Sequence, residues 1–288
     1  MKESFKIEIE EIGNYRIPSI ILDQGSWHSH LYFAFFIIRY FKPRRLVELG
    51  SYRGTSFRGF LEASKQSGWR IEANAVDCWE GDAHAGFYGE EVYRRFIESL
   101  TPYQESAELF VRKMRFDQAL SLFEAGTVDL LHIDGLHTYE AVKEDFEKWL
   151  PKMSKTGVIL FHDIVVKKED FGVWRFWEEI KERYPSFQFN FCNGLGVLIV
   201  HTDKSTGWQE FQESFLKNPS IHEKFRVYGE LLRLNYNQTS LKNSLLEMQA
   251  QESYFLKEGI RIKKTPWTQW LARIFKLTFF LCLLLINP

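Results

Sequence analysis

A chain of 288 residues with 45% hydrophobic and 26% charged residues can build a packed core, which excludes wholesale disorder. A formal net charge of -1 speaks against a nucleic-acid protein held by phosphate neutralisation. The separated Cys78, Cys192 and Cys282 form no CxxC, zinc spacing or disulfide framework, and the charged start MKESFKIEIEEIG lacks a secretory apolar run, so a cytoplasmic protein is expected.

Residues 1–25 form a lead-in, strand-like or irregular, interrupted by Pro18 and Gly25. Ser26 is a candidate N-cap for a helix through LYFAFFIIRYF, stopped before Pro43. That helix is apolar almost all round and should be buried against a sheet. RRLVELG (44–50) reads as a buried strand, with a helix from Thr55 to Ser67. IEANAVD (71–77) is a second strand, and the glycine- and aromatic-rich residues 78–89 form a loop. Helix EEVYRRFIESL, strand AELFVRKM (107–114) and a short helix ending at Gly126 follow. Strand VDLLHIDG (128–135) leads into helix TYEAVKEDFEKWL. Strand GVILFHDI (157–164) leads into FGVWRFWEEIKERY, and FQFNF and GVLIV form an antiparallel hairpin around CNGLG. Short apolar strands alternating with helices predict an α/β, Rossmann-like sheet, mostly parallel, closed by a C-terminal hairpin and spanning 26–203.

The character then changes. Over 221–258, Val227, Leu234, Leu241, Met248 and Phe255 recur every seven residues, with Leu231 and Leu245 between them and Gln238 and Glu252 at would-be apolar places. A helical hairpin or a coiled coil fits. Packing on the chain's own domain and pairing into a homo-oligomer both remain open. From 259 the chain is basic and then apolar: Arg261, Lys263, Lys264, Arg273 and Lys276 precede LTFFLCLLLI. This run is short of the ~20 residues of a membrane span. With Trp267 and Trp270 it suits a helix lying in a membrane interface, or a tail buried on protein, so peripheral membrane contact through 260–288 is an expectation.

Three clusters carry chemistry. In LVELGSYRGTS the strand ends at Glu48, and Gly50 and Gly54 bracket Ser51 in a turn into a helix. A nucleoside-bearing ligand can approach the backbone there, and Glu48 can bond to the ligand or hold the loop. The spacing is neither GxGxxG nor a P-loop, which disfavours nicotinamide and nucleotide sites. Asp77, at the end of the second strand, suits two ribose hydroxyls or a helix cap. HIDGLHTYE and FHDI place Asp134, His162 and Asp163 at the sheet's C-terminal edge. Such a set suits Mg²⁺ or a softer divalent cation. His137 is a candidate general base because histidine titrates near neutrality. His132 reads as a core residue, and Trp79–Tyr88, with Asp82 and His84, is a candidate lid.

Together LVELGSYRGTS, AVDCWEGDAHAGFYGEEV, DLLHIDGLHTYEAVKEDFEKWLP, GVILFHDI, FGVWRFWEE and NGLGVL resemble the class I S-adenosylmethionine-dependent methyltransferases of the Methyltransf_24 type. That group includes macrocin-type sugar O-methyltransferases and cephalosporin-hydroxylase-like proteins, and occurs beside bacterial glycosyltransferases. The likeness runs from Ser26 to Val200. It implies S-adenosylmethionine held by Glu48, Gly50, Ser51, Gly54, Asp77 and Asp134, and methylation of a sugar hydroxyl in a glycan or glycosylated metabolite. His137, Asp134 and Asp163 would carry catalysis. The glycine loop also looks like that of catechol-type metal-dependent O-methyltransferases. In their metal strand, DxxK, His137 stands here where the lysine would be, and His162-Asp163 replaces their Asp-Asn pair. Two competing readings are a catalytically silent scaffold in a membrane-associated glycan assembly and a nicotinamide-dependent sugar-modifying enzyme.

Overall fold

The computed structural model describes residues 14–18, 27–200 and 207–257. The chain divides into two compact units, Met1–Tyr236 and Asn237–Pro288. Ser26, most of the lead-in and the basic, apolar tail from 259 lie outside the described residues. Among the described residues no helix is long and apolar enough to cross a membrane.

In the first unit a short turn, His28–His30, opens into helix α1, Leu31–Phe41. Seven of its side chains are buried, as its near-uniform apolarity predicts, and Lys42 ends it in the left-handed region just before Pro43. Strand β1 is Arg45–Leu49, helix α2 is Thr55–Ser67 and strand β2 is Glu72–Asp77. The expected loop after β2 contains a small antiparallel ribbon, β3 (Gly81–Asp82) with β4 (Gly86–Phe87). Helix α3 (Glu90–Ser99), strand β5 (Glu108–Lys113), the short helix α4 (Phe116–Ala119) and strand β6 (Val128–Ile133) come next. Helix α5 (Tyr139–Trp149), strand β7 (Met153–His162) and helix α6 (Val173–Ile180) lead to the hairpin β8 (Ser186–Phe189) and β9 (Leu195–Ile199).

The main sheet runs β5-β2-β1-β6-β7-β9-β8; counting its own strands in chain order, this is 3-2-1-4-5-7-6. The first five strands are mutually parallel, and β9 inserts antiparallel between β7 and β8. The sheet reverses strand order between β1 and β6, the place where open α/β sheets bind ligands.

One face of the sheet is covered by α5 and α6, through Val142, Phe146, Trp149, Phe176 and Trp177. The other is covered by α1 and α2, extended by two further helices, α7 (Trp208–Lys217) and the start of α8 (Pro219–Lys257). Phe33, Phe36, Phe187, Phe189, Phe211, Phe215 and Phe225 meet there ring to ring. These rings are core, each contributing about 2–3 kcal/mol by burial. α8 is one continuous helix rather than a hairpin, and its first turns, through Ile221 and Phe225, are buried in the first unit's core.

Candidate active site

The site is built at the carboxyl ends of β1, β2, β5, β6 and β7. β1 runs into Gly50, whose φ is +89° and whose amide bonds the Val76 carbonyl at 2.9 Å. A Cβ on Gly50 would lie 2.1 Å from the Asp134 carbonyl oxygen, so only glycine lets the ends of β1 and β6 come this close. The turn that follows hangs on one carboxylate. Asp77 Oδ2 accepts the amides of Ser51 (3.0 Å) and Tyr52 (2.9 Å), and Oδ1 accepts that of Trp79 (2.7 Å). Burial raises the Asp77 pKa against those three stabilising N–H groups. Trp79, itself buried, donates its indole N–H to the Tyr52 carbonyl at 2.9 Å and closes the arrangement.

Over this turn lies a cavity of about 630 Å³, within the usual size range of small-molecule sites. Gly50, Ser51, Gly54 and Asp77 line one part of it; Asp134, His137, His162 and Asp163 line another. Glu48 does not reach it. The expectation that Glu48 meets a cofactor is corrected by its burial: it is fully enclosed, and its Oε2 lies 2.8 Å from His132 Nδ1. Trp27 Nε1 can only donate, so His132 Nε2 accepts from it (3.1 Å) and the ring proton sits on Nδ1, facing Glu48. His132 is the core residue the sequence suggests, and it holds Glu48 under the loop.

The second part is a compact charge network. His137 Nε2 lies 2.8 Å from Asp163 Oδ2 and 3.8 Å from Asp134 Oδ1. His162 Nδ1 lies 3.2 Å from Asp134 Oδ1 and 3.5 Å from Asp163 Oδ2. Burial disfavours every charge here, yet the opposite charges prevail. Both carboxyls are held well below their ordinary range by the His162 charge and by hydrogen bonds from His137 and His162. His162 is pushed well up by Asp134 and Asp163. Burial would lower His137, but its close pairing with the Asp134 and Asp163 carboxylates carries it up to about 9. In this arrangement His137 is an imidazolium at neutral pH, not the near-neutral base that an isolated histidine suggests.

Two further features bear on a cation. Asp163 is a non-glycine residue at φ +62°, and its Oδ1 is buried without a partner. One donor atom each from Asp134, His162 and Asp163 lies within 4.8 Å of the others. This mixed oxygen and nitrogen set fits a divalent metal ion.

His137 is fixed from behind by chain elements. Thr138 caps α5 through its hydroxyl, which accepts the Ala141 amide at 3.3 Å. The His137 carbonyl accepts Gly172 N–H at 2.7 Å, an approach only glycine permits, since a Cβ there would sit 2.3 Å from the Tyr139 nitrogen. Phe171 stacks on the His137 ring at 4.8 Å and 13°. The ribbon expected as a lid sends Gly81, Asp82, Ala85 and Tyr88 to the cavity wall, and His84 Nε2 pairs with Asp170 at 2.6 Å. Trp27, Tyr52, Arg115, Phe116 and Asp145 also line the cavity, and sequence reading missed them. Arg115 and Phe116 follow directly after β5, so the rule that strand ends carry the site would have found them.

Residues 47–164 match a family model described as a methyltransferase domain. Over this span the chain is similar to a methyltransferase domain, carried on a sheet of the order 3-2-1-4-5-7-6. A curated relative, the uncharacterized protein y4gI of Sinorhizobium fredii, is 41% identical over 216 residues, covering 74% of this chain and 24% of that protein. The chain thus spans about a quarter of that relative's length. Among solved structures, the S-adenosylhomocysteine-bound methyltransferase PaMTH1 of Podospora anserina has 14% identity and a TM-score of 0.49, covering 70% of this chain and 97% of that one. The O-methyltransferase TomG of Streptomyces achromogenes has 14% identity and a TM-score of 0.45, covering 65% and 92%. The methyltransferase domain matched by family, 47–164, contains every side chain of the charge network.

Proposed function

We propose that the protein transfers the methyl group of S-adenosylmethionine to a hydroxyl oxygen, with a sugar hydroxyl of a glycan or glycosylated metabolite as the acceptor class. The observation that carries this reading is one continuous cavity joining the Gly50–Gly54 turn and Asp77 to the Asp134, His137 and Asp163 cluster. The Gly50–Gly54 turn and Asp77 would hold the sulfonium nucleoside, the turn through its backbone groups and Asp77 through the ribose hydroxyls. The acceptor lies against the acid and histidine cluster. Its oxygen attacks the methyl carbon, the carbon–sulfur bond breaks, and the electron pair returns to sulfur to leave S-adenosylhomocysteine.

The hydroxyl proton goes to the His137–Asp163 pair, with the deprotonated form of His137 as acceptor. Phe171 stacks on that ring, the Gly172 amide fixes the His137 carbonyl behind it, and Asp134 lies 3.8 Å from the ring nitrogen. Positioning supplies much of the remainder, since holding oxygen and methyl in line contributes up to ~7–11 kcal/mol in the best cases. Asp134, His162 and Asp163 would hold a divalent cation, which when bound acts as a Lewis acid on the acceptor oxygen. The sugar class is supported by the sequence resemblance.

Calorimetric titration with S-adenosylmethionine is the direct test, followed by transfer of labelled methyl to acceptor sugars before and after exhaustive chelation with EDTA. Saturable binding and label transfer are expected. A folded protein that binds no cofactor would instead favour a silent scaffold. Full activity after chelation would remove the cation and leave the rest intact.

A further inference from the structure

Helix α8 carries two apolar faces, and its own domain uses one. Ile221 and Phe225 are buried in the core, and Tyr228 and Leu232 pack against it. Gly229 lies so near Ser29 that a Cβ would fall 2.4 Å from the Ser29 carbonyl. Val227, Leu231, Leu234 and Leu241 are exposed by 37% to 56%. At 100° per residue the two sets lie on separate faces of the helix, their centres about 140° apart. With Gln238 included, these places are separated by alternating steps of four and three, and the same steps recur in the sequence at Leu245 and Met248. That is the spacing of a two-stranded supercoil seam, narrower than the stripe by which a helix packs on a globular core.

We propose that the chain pairs with a second copy of itself through a parallel two-stranded coiled coil whose seam runs from Val227 to Leu241. Three observations select a copy over a different partner. Partner choice between unlike helices is set by charges flanking the seam. Here the flanks are Tyr228, Glu230, Asn235, Asn237, Lys242 and Ser244, so identical helices meet without a row of like charges. Glu230 is in addition neutralised by Arg233 of its own helix, at 2.9 Å. The polar residue inside the seam, Gln238, has an amide that both donates and accepts, so in register it is satisfied by the Gln238 of an identical strand. A buried amide of this kind fixes register at some loss of stability.

Sedimentation equilibrium of the full chain tests the idea. Twice the chain mass is expected, falling to the single-chain mass in Leu231→Glu/Leu234→Glu with far-UV circular dichroism and thermal midpoint of the methyltransferase domain retained. Leu216→Glu, at an equally exposed leucine of α7 away from the stripe, should keep the doubled mass. A single-chain mass for the unaltered protein at high micromolar concentration, or a doubled mass that survives the double substitution, overturns the proposal. Gln238→Cys under mild oxidation should give a peptide linked 238 to 238. A dimer in which 238 never links to itself overturns the parallel register.

Discussion

The two parts of the cavity are built by different forces. Around Gly50–Gly54 the structure is a matter of backbone: three amides converge on Asp77, and Gly50 closes against the Asp134 carbonyl. Around His137 it is a matter of side-chain charge, with two carboxylates and two imidazoles within hydrogen-bonding or ion-pair distance. A site held by backbone geometry fails as a fold when it is altered. A site held by charge fails as chemistry while the fold survives.

Substitutions can break this contrast. His137→Ala should have the largest effect on function, lowering kcat by ~10²–10⁴ while cofactor Kd moves by less than about threefold. Stopped assays with calorimetry in parallel would read both, and an unchanged kcat would remove His137 from proton transfer. Gly50→Ala should act on the fold instead, destabilising it by about 3 kcal/mol or more through its left-handed backbone and the collision with Asp134. Denaturant melts check this, and a wild-type midpoint would show that the β1–β6 approach is not close. Asp77→Asn leaves one oxygen for three donors and turns an NH₂ toward them, a loss of about 1–3 kcal/mol. Its midpoint should drop and its cofactor affinity weaken together, unlike His137→Ala.

The smallest effect sharpens the comparison at the cavity's far wall. Burial and neighbouring Glu144 push Asp145 from the ordinary 3.8 up to about 7. Because the folded value lies above the unfolded one, Asp145 favours the fold at acid pH, and that contribution fades between about 4 and 7 as the pH rises. Asp145→Asn should therefore gain relative stability above pH 7, on the order of 1–2 kcal/mol after allowing for partial exposure. Melting curves of both proteins across pH 4–9 would show the gap opening with rising pH; a constant gap would mean that Asp145 titrates as an exposed carboxyl.

Much of this was legible in the chain itself. Each expected strand of the sheet is found within a few residues, because buried parallel strands leave uninterrupted apolar runs and the turns between them carry Gly, Pro and capping residues. Gly50, Gly54, Asp77, Asp134, His137, His162 and Asp163 all reach one cavity for the same reason: the ends of parallel strands converge there. Helix α7 had no counterpart in the sequence reading, since its apolar residues, Trp208, Phe211 and Phe215, find their meaning only against α1 and β8.

What the amino-acid order determined alone is the α/β alternation, the glycine turn and the heptad stripe, all of them local patterns read along one chain. Only the tertiary structure decided that Glu48 faces His132 rather than the cavity, that His137 sits between two carboxylates that raise its pKa, and that α8 buries one apolar face and leaves the other open. Each of these depends on which distant residues come within a few ångströms, and burial and charge act at that range regardless of separation in sequence.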